Sequence, residues 1–174
     1  MRTLIILLTV FFTSLNANSL KTIEKTGDAL QLVLPFYAVS LVLYNDDLQL
    51  GLNQFLLGLV STQAGVEILK RTIKEQRPNK SNNLSFPSGH TTASFYVANF
   101  IHKRYNFAQA FLPYIFASFV AFSRIRTKKH YFHDALAGAL FAYTINNLFT
   151  SKKIKCDVLM NSNKIKLQFN ANFD

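Results

Sequence analysis

Apolar residues in this chain are gathered into long uncharged windows that short polar segments separate. The windows cover residues 29–45, 48–66, 81–101, 105–123 and 135–151. A helix needs roughly 20 mostly apolar residues to cross a bilayer, and about 17 is the lower limit, so four or five windows are candidate spans. Glycine and proline are sparse, with 6 and 4 residues, as a nearly continuous helical bundle requires. The pattern therefore predicts an all-α protein with about five to six helices.

The two ends of the chain differ in pattern from this middle part. Arg2 precedes a short apolar stretch, and Ala17 lies in the polar segment that follows. This order is typical of a secretory signal peptide, or of an uncleaved signal anchor, over residues 1–18. Residues 152–174 alternate apolar and polar positions in two runs, which predicts a small β-hairpin. Residues 19–151 are then the helical domain.

Charge and composition indicate which partners to expect. The 174 residues are 49% hydrophobic and carry a formal net charge of +10. A basic chain can bind nucleic acid, but no basic-aromatic recognition module is present, and an exported protein rarely meets DNA or RNA. An anionic phospholipid or another lipid-linked phosphate at a membrane surface is therefore the expected partner. The single cysteine, Cys156, excludes an intramolecular disulfide.

Three short motifs contain residue types suited to phosphate chemistry. They are Lys70 with Arg77-Pro78, then Pro87-Ser88-Gly89-His90, then Ser123-Arg124 with His130 and Asp134. Phosphoryl transfer spreads negative charge over several oxygens, so its catalysis is mostly positioning and electrostatic stabilisation. Lys70, Arg77 and Arg124 supply the positive charge. A Ser88-Gly89 pair that opens a helix would add backbone N–H groups as an anion seat.

The two histidines of these motifs require different roles. His130 and Asp134 are four residues apart, so on a helical turn they share a face, and the carboxylate can orient the imidazole. His130 is therefore the predicted nucleophile, which would form a covalent phosphohistidine. His90 is predicted to protonate the leaving oxygen and then to activate water.

In type and spacing, these residues resemble the type 2 phosphatidic acid phosphatase (PAP2) superfamily. Its pattern is lysine, six residues, Arg-Pro; then Pro-Ser-Gly-His; then Ser-Arg, five residues, His, three residues, Asp. The chain matches this pattern without a departure, and the resemblance covers about residues 29–149. The resemblance implies phosphate binding by Lys70, Arg77, Ser88, Gly89 and Arg124, with His90 as the acid, His130 as the nucleophile and Asp134 as its orienting carboxylate. It also implies a phosphatase without a cofactor or a metal.

If residues 29–45 run inward from an exported N-terminus, all three motifs end on the same outer side of a membrane bundle. The prediction is a bacterial inner-membrane phosphatase whose active site faces the periplasm and which hydrolyses a phosphomonoester or pyrophosphate of a lipid-linked substrate. The mean hydropathy of +0.14 also suits a soluble periplasmic acid phosphatase of broad specificity. A non-catalytic membrane protein that binds or transports phospholipids is the alternative from another functional class. The motifs do not choose the lipid, and the oligomeric state is unknown.

Overall fold

The computed structural model describes residues 20–153, 155–161 and 164–170 of the chain. Five helices make up most of the first range: α1 (Leu20–Tyr44), α2 (Leu50–Ile73), α3 (Gly89–Arg104), α4 (Phe107–Arg126) and α5 (Phe132–Phe149). The predicted helical bundle is confirmed for this part of the chain. The predicted signal sequence, residues 1–18, lies outside the described residues.

The C-terminal segment forms the hairpin that the alternating pattern predicts. Strands β1 (Lys155–Asn161) and β2 (Lys164–Asn170) pair antiparallel, with Val158 opposite Leu167. Two strands alone form a sheet of marginal stability. None of the motif residues lies in this hairpin.

Helix α3 is the centre of the bundle, because it packs against each of the other four helices, while α1 also packs on α4 and α2 on α5. Tyr96 and Phe100 of α3 are completely buried. The rings of Phe100 and Phe55 lie 5.0 Å apart. The hydroxyl of Tyr96 donates to the carbonyl of Phe55 at 3.1 Å. These contacts join the central helix to α2 in the middle of the core.

In addition to its apolar core, the bundle buries polar side chains at its centre and exposes large apolar side chains on its outside. The central helix buries polar residues, including Thr91, Ser94 and Asn99. The outer helices instead expose large apolar side chains, such as Phe36 at 75% and Leu148 at 73% exposure. Large exposed apolar surfaces mark contact with a membrane, a ligand or another protein.

Two of the described helices, α1 and α4, are long and apolar enough to cross a membrane. This is fewer than the four or five candidate windows. The window over residues 81–101 is not helical throughout, because α3 begins only at Gly89 and has 16 residues. Pro87 precedes this start, and Ser88 is the N-cap whose side chain accepts from the Thr91 N–H. Proline and serine at these positions favour a chain that enters a helix rather than one that continues through it.

A buried ion pair joins the α1–α2 turn to the end of α3. The Arg104 guanidinium donates to both carboxylate oxygens of Asp47, each at 2.7 Å. It also donates to the Ser151 carbonyl at 2.9 Å, and Tyr105 donates to Asp47 at 3.2 Å. The Arg104 and Asp47 side chains are only 2% and 6% exposed. This contact therefore holds together the end of the bundle opposite the three motifs.

Candidate active site

The three motifs meet at one end of the bundle. Lys70 lies in the last turn of α2, His90 in the first turn of α3 and Arg124 in the last turn of α4. Two loops over residues 74–88 and 127–131 complete this end. They are joined by a hydrogen bond from the Asn79 N–H to the Lys128 carbonyl at 3.1 Å.

The His130–Asp134 pair is buried at the start of α5. His130 is 3% exposed and Asp134 is not exposed at all. Their Nδ1 and Oδ2 atoms lie 3.5 Å apart, at the outer limit of a hydrogen bond. The same Oδ2 accepts from the Ser85 hydroxyl at 2.5 Å and from the Tyr131 N–H at 2.8 Å. The carboxylate is therefore held rigidly where it can orient the imidazole.

This pairing does not arise in the way that the spacing suggests. His130 lies in the loop before α5, which begins at Phe132, so the two residues do not share a helical face. Asp134 lies in the first turn of α5, and its carboxylate folds back to cap the Tyr131 N–H. Side-chain oxygens near a helix start satisfy N–H groups that have no partner inside the helix. Capping thus brings the carboxylate close to His130.

The electrostatic surroundings of His130 favour its neutral form. Burial lowers the pKa of His130, and the positive charges of Lys70 and Arg77 act in the same direction. The neighbouring Asp134 carboxylate opposes this shift, but the net direction is downward. A neutral imidazole keeps the lone pair that a nucleophile needs.

Two arginines lie close to one another at this end. The Arg124 side chain is 5% exposed and lies 2.9 Å from Asp28, from its Nη1 to Oδ1. Arg77 donates from Nε to the Asn82 side chain at 2.9 Å. Burial lowers the pKa of Arg77, and the charge of Arg124 lowers it further. Two adjacent guanidiniums form the kind of cationic site that binds phosphate oxygens.

The third predicted cation, Lys70, comes from α2. Its ammonium group donates to the Leu84 carbonyl at 2.6 Å and lies 3.4 Å from the Ser85 carbonyl. Lys70 is 8% exposed. These bonds fix the ammonium against the loop over residues 74–88, so that the loop and the end of α2 form one wall of the site.

Ser88 and Gly89 open α3 as the sequence predicts, but most of their contacts are internal. The Ser88 hydroxyl caps α3 and lies 2.9 Å from the Thr91 hydroxyl, and its N–H donates to the Asp134 carbonyl at 3.1 Å. A Cβ at Gly89 would meet Val66 at 3.5 Å, which is an ordinary contact. The protein itself thus leaves room for a side chain at Gly89. That these two residues seat a phosphate oxygen stays a prediction.

Two further residues belong to the site, and the motif analysis did not include them. Ser85 holds Asp134, as described above. Asp28, on α1, lies 3.1 Å from His90, from its Oδ1 to Nε2, and shares the same oxygen with Arg124. Neither residue lies in a motif, since 62 positions separate Asp28 from His90 and 49 separate Ser85 from Asp134. The one signal for Asp28 is an acidic residue next to a glycine just before the first apolar window.

A neighbouring group of ligand-type atoms lies beside the site. Glu75, His133 and Asp134 offer atoms within 4.8 Å of one another, close enough for a metal ion. In this arrangement the His133 imidazole lies between the two carboxylates, with Nε2 at 2.9 Å from Glu75 and 3.3 Å from Asp134. His133 thus lies between the two acids and is hydrogen-bonded to Glu75.

Comparison with known proteins identifies the family. The family model of the PAP2 superfamily matches residues 51–155, which is more than half of the chain. The chain belongs to the PAP2 superfamily. All the motif residues lie within the matched range, whereas α1, and with it Asp28, lies before it.

Two curated relatives are named as lipid A phosphatases. The lipid A 1-phosphatase of Porphyromonas gingivalis is 30% identical over 95 residues, which cover 53% of this chain and 21% of the relative. The lipid A 4'-phosphatase of Helicobacter pylori is 27% identical over 141 residues, which cover 75% of this chain and 70% of the relative. The chain thus spans about a fifth of the first relative. No solved structure gave a significant match.

Proposed function

We propose that this PAP2 protein is an integral membrane phosphatase that removes phosphate from a lipid-linked phosphomonoester or pyrophosphate. The observation that carries the proposal is the convergence of Lys70, Arg77 and Arg124 on a buried His130–Asp134 pair. A protein that only binds an anion has no use for a buried imidazole with an orienting carboxylate. These two residues therefore favour a phosphatase over a phospholipid-binding or transport protein.

In the first proposed step, the free ring nitrogen of His130 attacks phosphorus. An N–P bond forms, the ester P–O bond breaks, and the leaving oxygen takes a proton from His90. Lys70 and the two arginines stabilise the negative charge on the phosphoryl oxygens. Asp134 stabilises the positive charge that develops on His130. The products are a phosphohistidine and the free alcohol, or a phosphate when the substrate is a pyrophosphate.

In the second proposed step, water attacks the phosphohistidine. His90, now neutral, accepts a proton from the water, so that an O–P bond forms while the N–P bond breaks. Inorganic phosphate leaves, His130 returns to its neutral form, and His90 is protonated again. The proton taken up here replaces the one that His90 gave to the leaving oxygen.

The surface of the bundle supports a membrane location. Large apolar side chains are exposed on α1, α2, α4 and α5, including Leu32, Val60, Phe122 and Leu140. In water this surface would be costly, whereas a bilayer would cover it. The arrangement suits a bacterial inner membrane with the motif end at the periplasmic face. Carbonate extraction tests this, because release into the supernatant would favour the soluble acid phosphatase instead.

The relatives suggest the class of substrate. Both curated relatives carry the name of lipid A phosphatases, so a phosphate of lipid A is the proposed substrate to test first. The cationic end of the bundle also suits phosphatidate and polyprenyl pyrophosphate, which present the same terminal phosphoryl group.

Turnover by the purified full chain in lipid nanodiscs tests the function. The panel is lipid A, phosphatidate and polyprenyl pyrophosphate, with phosphate release as the readout and His130→Ala as the blank. We expect release from at least one lipid and none from the blank, and equal release from both proteins would contradict the proposal. EDTA should leave turnover unchanged. Inhibition that a divalent ion reverses would contradict the metal-free mechanism.

A further inference from the structure

We propose that Asp28 is the positioning residue of the acid in this site: its carboxylate holds the His90 imidazole so that the ring can pass a proton to the leaving oxygen. The inference rests on the phosphatase function proposed above. It adds a residue of α1, which lies outside the range that the PAP2 family model matches.

The contacts of Asp28 determine which ring nitrogen does this work. Its Oδ1 lies 3.1 Å from Nε2 of His90, within hydrogen-bond distance. A carboxylate is an acceptor only, so Nε2 carries the proton in this pair. The other ring nitrogen, Nδ1, is then the one that exchanges a proton with the leaving oxygen and later with water.

Each histidine of the site is thus paired with one carboxylate, but the two pairs differ in solvent access. The Asp134 side chain is inaccessible, and its Oδ2 also has two hydrogen-bond donors. The Asp28 side chain is 44% exposed, and the side chain of His90 is 38% exposed. A nucleophile benefits from a dry, fixed surrounding, whereas an acid that must exchange protons needs contact with water. The difference in exposure agrees with the two proposed roles.

Contacts between α1 and α4 set the position of Asp28. A Cβ on the preceding residue, Gly27, would overlap the Ser123 hydroxyl, so the two helices approach closely there. Arg124 donates from Nη2 to the Glu24 carbonyl at 2.9 Å, one turn earlier on α1. The Glu24 carboxylate pairs with Lys129 at 3.0 Å. Helix α1 is therefore anchored to the motif end in the turn that precedes Asp28.

The negative charge of Asp28 favours the role of His90 as general acid and opposes phosphate binding. A carboxylate stabilises the protonated imidazole, which is the form that can protonate a leaving oxygen. The same charge repels a phosphate, and the three cations of the site outweigh this repulsion. If Asp28 merely occupied the place of a phosphate oxygen on Arg124, its removal would tighten substrate binding.

Two substrates that differ only in their leaving group separate these roles. The leaving oxygen of p-nitrophenyl phosphate needs little protonation, whereas that of dodecyl phosphate needs a full proton. For Asp28→Asn we expect kcat/KM, which reports the steps up to departure of the leaving group, to fall on the order of 10²-fold with dodecyl phosphate, the usual contribution of general acid catalysis, and only a few-fold with p-nitrophenyl phosphate. Asp28→Glu should recover part of the lost activity toward dodecyl phosphate.

Asp46→Asn is the matched control. Asp46 is an exposed aspartate in the α1–α2 turn, and its backbone has a φ of 50°, which asparagine also tolerates. The Asp46→Asn variant should hydrolyse dodecyl phosphate and p-nitrophenyl phosphate as fast as the unaltered protein. If Asp28→Asn does not fold, as judged by its thermal unfolding, Asp28→Ser is measured in the same way. The ratio of its rates with dodecyl phosphate and p-nitrophenyl phosphate then tests the proposal.

The outcomes are distinct. Equal losses on both substrates would mean a structural role and would overturn the proposal. A lower KM with unchanged kcat would mean that Asp28 only occupies the phosphate position, which also overturns it. If the unaltered protein releases no phosphate from these esters or from the lipid panel, the phosphatase function itself falls. A selective loss with dodecyl phosphate supports the proposal.

Discussion

The two ends of the bundle each contain a buried arginine that pairs with an aspartate, and the two pairs are built differently. Arg104 forms a fork with both oxygens of Asp47, and both side chains are buried. Arg124 contacts a single oxygen of Asp28, which is also shared with His90 and whose side chain is 44% exposed.

The comparison shows how one kind of ion pair can serve structure or chemistry. A bidentate pair with its remaining donors bound to carbonyls has no capacity left for a ligand. Arg124 has one contact with the Asp28 carboxylate and donates also to the Glu24 carbonyl and the Ser123 hydroxyl, which leaves two of its five N–H groups for a phosphate. The two ends therefore differ in how many hydrogen bonds the arginine and the aspartate make within the protein.

Loss of the nucleophile should have the largest effect on the motif end. His130→Ala is expected to reduce turnover by on the order of 10⁴-fold or more, as removal of a nucleophile does in other enzymes. The His130 side chain makes no strong bond that stabilises the bundle, so the thermal midpoint should change little. A phosphoprotein trapped with labelled substrate in this variant would contradict the assignment of His130.

Loss of the orienting charge should have the next largest effect. Asp134→Asn keeps the size of the side chain but removes the negative charge beside His130, and turnover is expected to fall by about 10²- to 10⁴-fold. Rates from single-turnover kinetics check this, since they report the attack step. Unchanged phosphohistidine formation would exclude the orienting role.

Removal of each arginine tests the comparison most directly. Arg104→Ala leaves the Asp47 carboxylate buried without its partner, and we expect a loss of about 3–5 kcal/mol in the free energy of unfolding. Arg124→Ala leaves a half-exposed Asp28, so its stability loss should be smaller. Its turnover should fall by about 10²- to 10³-fold, as for loss of one transition-state donor.

Denaturant titration and phosphate release, measured on both arginine variants in the same detergent, test these expected losses of stability and turnover. A larger loss of stability in Arg124→Ala than in Arg104→Ala would reverse the assignment of the structural and the chemical end.

The pH dependence is the smallest of the expected effects. Burial lowers the pKa of His130, so this group is neutral at pH values where an exposed histidine is already protonated. As pH falls, kcat/KM for p-nitrophenyl phosphate should therefore stay high until the pH is below the ordinary histidine value of 6.5. An acid limb above that value would indicate that His130 is not buried during turnover.

The site could be predicted from the sequence as far as its residues are local. The motifs predict Lys70, His90 and Arg124, because each stands in a short motif with fixed spacing. Each described helix overlaps an uncharged window, but α1 begins at Leu20, before its window, and α2 continues to Ile73, beyond its window. The largest missing part is residues 81–88. There Pro87 and the cap at Ser88 delay the helix, although the absence of charge alone predicts a longer one.

By itself, the sequence determined that this chain forms a helical bundle with PAP2 chemistry, because apolar periodicity and motif spacing are properties of neighbouring residues. The motif spacing already paired Asp134 with His130, but only the tertiary structure placed a second carboxylate, that of Asp28, beside His90. Asp28 reaches His90 across 62 positions, and Ser85 reaches Asp134 across 49, through the packing of one helix or loop on another. Such contacts depend on how close two backbones come, as Gly27 allows against Ser123, and no local pattern encodes that distance.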